Sequence, residues 1–337
     1  MGYRIPIRKF LKDDRGVALI LTILVISLIV ALTLQFNTFT RCDLQAAANM
    51  RDGIRLRCVA RSGFNYALGV LAKDKLESSI DTLHEDWADP ETLSGNSAAM
   101  FSEGRFEAKV SDHSGRIQIN KLIKSDGTYN NVQRDLLIKF LQLPEFGLEE
   151  GTAVNIVNAI KDWIDSDNDV TEGPGYGAEN SYYQGLENPY ACRNRPLDYI
   201  EDLIPVRGMT NNLFHGNGEK PGISRYLSPH GDGKININTA EPLVLKALSE
   251  YILDQDRVED WLEYRENKKN DLSDYKKYPG LSDMTQEQKN RANSLLTTRS
   301  TYFEIRSDGF KGSMIKRVTG ITERTGTGLQ ILSWKVE

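Results

Sequence analysis

Much of what usually announces a function is missing from this sequence. Its 337 residues contain no Gly-x-Ser-x-Gly elbow, no His-Glu-x-x-His helix and no phosphate-binding glycine loop. The four histidines, His84, His113, His215 and His230, stand in polar or turn-like stretches without metal-ligand spacing, and most are expected to be solvated. No enzymatic role is therefore expected. Cysteine is scarce: Cys42 and Cys58 lie sixteen residues apart on what reads as one helix. That separation is about 24 Å, beyond disulfide reach, and Cys192 has no evident partner, so disulfides do not define the fold. An excess of positive charge is absent too. The formal net charge of −5 gives no broad electrostatic footprint for nucleic acid. Two further gaps are local, namely no proline between Pro6 and Pro90 and no charged residue between Val17 and Leu34.

That uncharged run, broken only by the hydroxyls of Thr22, Ser27 and Thr33, would be about 27 Å long as a helix, nearly enough to cross a bilayer core. Ahead of it Arg4, Arg8, Lys9, Lys12 and Arg15 outnumber Asp13 and Asp14. This bias holds the N-terminus on the cytoplasmic side and exports the chain beyond Leu34. A cleaved signal peptide would need a shorter apolar stretch with a small-residue site close behind, and Ala46-Ala47-Ala48 lies too far past Leu34. A plain signal anchor is an alternative, but it leaves unexplained why the basic leader ends in Gly16 directly against the apolar run. That arrangement resembles the class III signal of type IV pilins and type II secretion pseudopilins. The resemblance implies cleavage by prepilin peptidase between Gly16 and Val17, N-methylation of Val17, and a leader of residues 1–16. Most pilins carry Glu at the fifth mature position; here it is Leu21.

Past Leu34 the pattern remains helical and becomes amphipathic, through Leu44, Ala47, Ile54, Cys58, Ala60, Phe64, Ala67, Leu68 and Leu71. The pattern predicts one helix over residues 17–76, with 17–34 in the membrane; Gly53, Gly63 and Gly69 weaken it and mark bends or close packing. Ser78–Glu103 reads as a loop. Arg105–Ser111 and Arg116–Asn120 alternate as strands around a turn at Asp112-His113-Ser114-Gly115. Tyr302–Arg306, Ser313–Glu323 and Leu329–Val336 are strands again, the last two joined through Thr325-Gly326-Thr327-Gly328. The expected fold is α+β, a long helix on one antiparallel sheet. The head is assigned to residues 77–120 and 299–337, interrupted by a mainly helical insertion over 121–298. Helices are predicted there at Val132–Leu143, Ala153–Ile164, Leu197–Leu203, Pro242–Leu253, Val258–Glu266 and Gln286–Leu296. A weak repeat places Ile117-Gln118-Ile119-Asn120 and Ile235-Asn236-Ile237-Asn238 each before a helix pair.

Two motifs carry candidate chemistry. The stretch Ile235–Ala240 with Leu248 and Trp261–Arg265 is similar to helix-hairpin-helix DNA-binding modules, which hold phosphate on backbone amides of a glycine-rich hairpin. Here the Ser249–Arg257 connection lacks glycine and carries Glu250, Asp254 and Asp256, which repel phosphate. Nucleic acid is not an expected partner. The structural reading is that Thr239 caps a helix. The second motif is Asp162-Trp163-Ile164-Asp165-Ser166-Asp167-Asn168-Asp169, with Gly177-Ala178-Glu179-Asn180 beyond it. Alternating carboxylates can converge on a hard cation such as Ca²⁺, which takes six to eight oxygens. It is not an EF-hand, since Val170 and Tyr176 stand where that loop needs Gly and Glu. A solvated acidic loop is the other reading.

Together, Asp112–Asn120, the acidic stretches, Tyr190–Asn194, Glu201-Asp202-Leu203, Arg207-Gly208-Met209 and Ile235–Ala240 resemble the type II secretion minor pseudopilin K family, in order and over nearly the whole chain. The resemblance implies a type IV pilin-like fold with a large α-helical insertion. It also implies an inner-membrane, single-pass subunit with a periplasmic C-terminal domain, placed at the pseudopilus tip with minor pseudopilins I and J. Calcium is implied at Asp165, Asp167 and Glu179, with Asp162, Asp169 and Asn180 as further candidates. A minor pilin of a type IV pilus or DNA-uptake machine, and a membrane-tethered calcium-dependent binding module, are the alternatives.

Overall fold

The computed structural model describes residues 16–171, 173, 175–326 and 328–337. The basic leader before Gly16 and residues Glu172, Pro174 and Thr327 lie outside the described residues. The chain divides into two compact units between Cys58 and Val59, both traversed by helix α1 (Val17–Glu77).

In the first unit the apolar residues of α1 from Val17 to Leu34 stand exposed, Leu21 among them at 61%. Two threonine hydroxyls of the run are satisfied by the helix itself: Thr22 donates to Leu19 O (2.8 Å) and Thr33 to Ile29 O (2.7 Å). A lipid-embedded segment needs this, because nothing outside it offers hydrogen bonds.

In the second unit α1 ends over a sheet. The stretch expected as loop holds short 3₁₀ turns at Asp86–Ala88 and Ser97–Met100 around helix α2 (Pro90–Ser94). Asp89 starts α2 by accepting from the amides of Glu91 and Thr92, with Pro90 in the first helical turn, a local device that polar composition conceals. Strand β1 (Arg105–Asp112) alternates inward at Phe106, Ala108 and Val110. The helical body comes next, with β2 (Ile117–Gln118), α3 (Asn131–Leu141), α4 (Glu150–Ile164), α5 (Asn180–Gln184), α6 (Asn211–His215), β3 (Leu227–Ser228), β4 (Ile235–Asn236), α7 (Pro242–Leu253), α8 (Val258–Glu266), α9 (Gln286–Leu295) and β5 (Leu296–Thr297). The chain then returns to the sheet as β6 (Tyr302–Lys311), β7 (Met314–Thr325) and β8 (Gly328–Val336).

The sheet is antiparallel in the order β1-β6-β7-β8, so β1 pairs directly with β6 although residues 113–301 separate them in sequence. Two hydrophobic cores result. One joins Phe64, Ala67 and Leu71 of α1 to Phe106, Phe303, Ile305 and Val318 of the sheet, with Trp87 and Leu93 closing it. The other fills the helical body around Leu136, Phe140, Ile156, Ile160, Leu248 and Trp261. Of the three helix glycines only Gly63 meets a close neighbour, since a Cβ there would lie 2.3 Å from Ser307 Oγ. Gly53 and Gly69 have open space.

Several expectations need correction. Residues 116–120 do not form a hairpin with β1: β2 is two residues long and pairs in parallel with β3. Ile117, Gln118 and Ile119 are all buried, and the Gln118 side chain donates to Lys234 O (2.6 Å) and accepts from Gly233 N (2.5 Å). Its polarity serves an interior staple, not an outer face. The repeat is real in structure, because β4 pairs in parallel with β5 just as β2 does with β3. Asn120 donates to Leu197 O and Pro229 O, and Asn238 to Asp81 O and Leu272 O. Leu197–Leu203 contains only a 3₁₀ turn, Ile200–Leu203. Thr239 does not cap α7, whose N-cap residue is Glu241 with no side-chain cap; the Thr239 hydroxyl donates to Asp112 Oδ2 (2.5 Å). Nor is every histidine solvated. His113 is buried, with Nδ1 3.0 Å from Ser228 Oγ and Nε2 3.0 Å from Glu304 Oε2. Burial and the nearby Arg116 hold its pKa down to about 4.

Candidate metal centre

The acidic motif straddles the end of α4. That helix is amphipathic and buries Ile156, Val157, Ile160, Trp163 and Ile164, which carries Asp162 and Asp165 inward at its last turn. The chain then runs out through exposed Asp167 and Asp169 and comes back at Gly177-Ala178-Glu179 to start α5. Glycine is required at 177 because a Cβ there would lie 1.9 Å from Asp162 Oδ2. The return brings Glu179 against the other two carboxylates. Asp162, Asp165 and Glu179 each place an oxygen within 4.8 Å of the others, and all three are at most 1% exposed.

Three buried carboxylates this close repel one another. Asp162 is best satisfied, accepting from Thr171 N (3.2 Å) and from the Thr171 hydroxyl. Asp165 Oδ2 accepts from Lys161 Nζ (2.6 Å). Asp165 Oδ1 and Glu179 Oε1 are buried with no hydrogen-bond partner among the described residues. Burial, then Asp162 and Asp165, push the Glu179 carboxyl up to about 7; burial also raises Asp165 against the pull of Lys161. Unpartnered buried carboxylate oxygens cost free energy unless a cation meets them. An all-oxygen donor set of this kind suits a hard divalent ion.

Of the residues expected here, the fold thus brings together Asp162, Asp165 and Glu179. Asp167 takes the Asp169 amide (2.9 Å) in an exposed turn, and Asn180 accepts from Cys192 N (3.1 Å). Neither Asp167 nor Asp169 belongs to the close group. Residues outside the expected set complete the surroundings. Asn194, in the left-handed region at φ 46°, donates to Asp167 O (2.5 Å) and Asn168 Oδ1 (3.1 Å) and so holds the acidic loop. Lys161 was legible in principle, one helical turn before Asp165; Thr171 and Asn194 had no sequence signal.

A second acidic group, Asp74, Asp81 and Glu85, is built differently. Arg324 lies among these carboxylates, pairing with Asp74 (2.6 Å) and Asp81, while Glu85 accepts from Trp87 Nε1 (2.7 Å) and Thr82 N (3.0 Å). No orphaned carboxylate oxygen is left there among the described residues.

A long helix with one segment apolar enough to cross a membrane, its last turns on a four-stranded antiparallel sheet and a helical body spliced between the sheet's first two strands, defines a pilin-like subunit with an inserted domain. Two family models, both described as type II secretion system protein K, match residues 115–216 and 235–299. Protein K of Aeromonas hydrophila is 24% identical over 258 residues, covering 74% of each chain; that of Klebsiella pneumoniae is 24% identical over 233 residues, covering 68% of this chain and 67% of its own. A crystal structure of the GspK-GspI-GspJ complex from the type 2 secretion system of enterotoxigenic Escherichia coli matches with a TM-score of 0.67 at 19% identity, over 86% of this chain and 99% of that one. The chain is thus similar to type II secretion system protein K in two matched segments, and to the solved complex in fold. Among the described residues, Val17–Glu77 is the one helix with a segment long and apolar enough to cross a membrane.

Proposed function

We propose that this subunit caps or initiates the secretion pseudopilus at its tip, in a complex with minor pseudopilins I and J. The observation that carries this is the direct pairing of β1 with β6 around the spliced helical body. A compact body of about 175 residues has a radius of gyration of about 16 Å, too bulky to repeat between stacked heads; a terminal place leaves it room. Leu21 supports the same position. In pilins the carboxylate at that point pairs with a neighbour's charged N-terminus, because a lone charge in an apolar bundle is costly, and Leu21 needs no such partner. Gold labelling of an epitope at Asn267–Lys277 on sheared pseudopili should mark one end only. Label along the shaft, or on no filament, rules the tip position out.

The same reading includes maturation and an ion. Prepilin peptidase cuts after Gly16 and methylates Val17, so mass spectrometry of the membrane form should find methylated Val17 at its N-terminus; an intact Met1 sinks this. The assigned parts are a leader over 1–16, a long helix over 17–76, head segments over 77–120 and 299–337, and an inserted domain over 121–298. Calcium is held by Asp162, Asp165 and Glu179, with Asp167, Asp169 and Asn180 at the margin. The two orphaned buried oxygens support that assignment. The ion neutralises the cluster and ties the acidic loop to the end of α4.

A further inference from the structure

We propose that Lys161 is a built-in competitor of the divalent ion, a tethered monovalent cation that sets the concentration at which the acidic centre fills. The proposal rests on the calcium reading above. Lys161 sits in the last turn of α4 with only 12% of its side chain exposed. Its Nζ is 2.6 Å from Asp165 Oδ2 and 3.7 Å from Asp162 Oδ1, within reach of two of the three clustered carboxylates. It does not reach the orphaned oxygens, Asp165 Oδ1 and Glu179 Oε1.

This makes Lys161 unlike Arg324 in the other acidic group. Arg324 bridges two carboxylates and leaves no need for an ion. Lys161 offers one charge to a cluster of three, so it compensates the site in part and keeps it foldable at low calcium. A divalent ion drawn to the same oxygens meets that ammonium a few ångströms away, and like charges at such separation repel strongly where water is scarce. Binding therefore requires Lys161 to give up Asp165. A resting place is at hand, since Nζ lies 5.7 Å from the ring centroid of Tyr129, a face that attracts a cation. The tyrosine is itself pinned, donating from its hydroxyl to Asn158 Oδ1 (2.6 Å). The ordinary alternative is that Lys161 merely completes the end of α4, where a basic side chain suits the helix dipole.

The two roles predict opposite signs. Calcium titration of the detergent-solubilised full chain by calorimetry, alongside its melting temperature in calcium and in EGTA, should separate them. Lys161→Met and Lys161→Gln are expected to bind Ca²⁺ about tenfold tighter or more and to melt lower than wild type in EGTA, so the calcium-dependent gap widens. Lys161→Arg keeps the charge and should stay close to wild-type affinity. If wild type binds and both neutral variants bind with equal or weaker affinity, Lys161 is no competitor, although the calcium site stands. If wild type takes up no calcium while folded, the calcium reading fails and this proposal with it.

Discussion

Adding EGTA to the purified protein should lower its melting temperature by about 5–10 °C. An ion that binds only the folded state, at a hundredfold excess over its dissociation constant, stabilises by about 2.7 kcal/mol, and a domain of this size moves by about 2–4 °C per kcal/mol. A large effect is expected because, without an ion, Asp165 Oδ1 and Glu179 Oε1 are buried oxygens with no partner among the described residues, beside a third carboxylate. Combining Asp165→Asn with Glu179→Gln should abolish the calcium dependence. It should also raise the melting temperature in EGTA above that of wild type, since two repelling charges are gone. A double variant that keeps its calcium shift would show that the site is elsewhere.

Arg324→Met should cost about 3–5 kcal/mol in urea unfolding, the range for removing one partner of a buried ion pair. The Arg324 guanidinium reaches from β7 to Asp74 near the end of α1 and to Asp81 just beyond it, donates to Leu71 O (3.3 Å) and lies over the Phe303 ring at 4.5 Å. Burial pushes both carboxyls up, and Arg324 pulls them back toward the charged form. Without it two buried carboxylates face each other. Neutralising one of them in Arg324→Met/Asp81→Asn should return a good part of the loss. Arg324→Lys should not, because a lysine cannot span these acceptors with one ammonium. A single variant within about 0.5 kcal/mol of wild type, the ordinary range for surface changes, would mean the ion pairs are not formed in solution.

How much of this could be read in advance varied with the distance over which contacts form. The lengths of α7 and α8 were legible to the residue, since Pro242 opens one helix and the apolar spacing of the other is local. Strands β6, β7 and β8 were found, though β6 runs on to Lys311. Residues 116–120 misled, because alternation predicts a half-buried strand while Gln118 is turned inward to backbone groups at Gly233 and Lys234. Thr239 misled for a similar reason, its acceptor Asp112 being remote in sequence.

The features that the sequence by itself determined are those that depend on neighbours along the chain. The uncharged run from Val17 to Leu34, the amphipathic continuation of α1 and the oxygen-rich composition of the acidic stretch all come from residue order alone. The tertiary structure decided which side chains meet. Six residues were candidates for the ion; only the end of α4, the return at Gly177 and the start of α5 bring Asp162, Asp165 and Glu179 within 4.8 Å while Asp167 and Asp169 stay in solvent. Composition cannot tell a solvated carboxylate from a buried one, because the difference lies in the water that packing removes, and packing is set by residues far away in the chain.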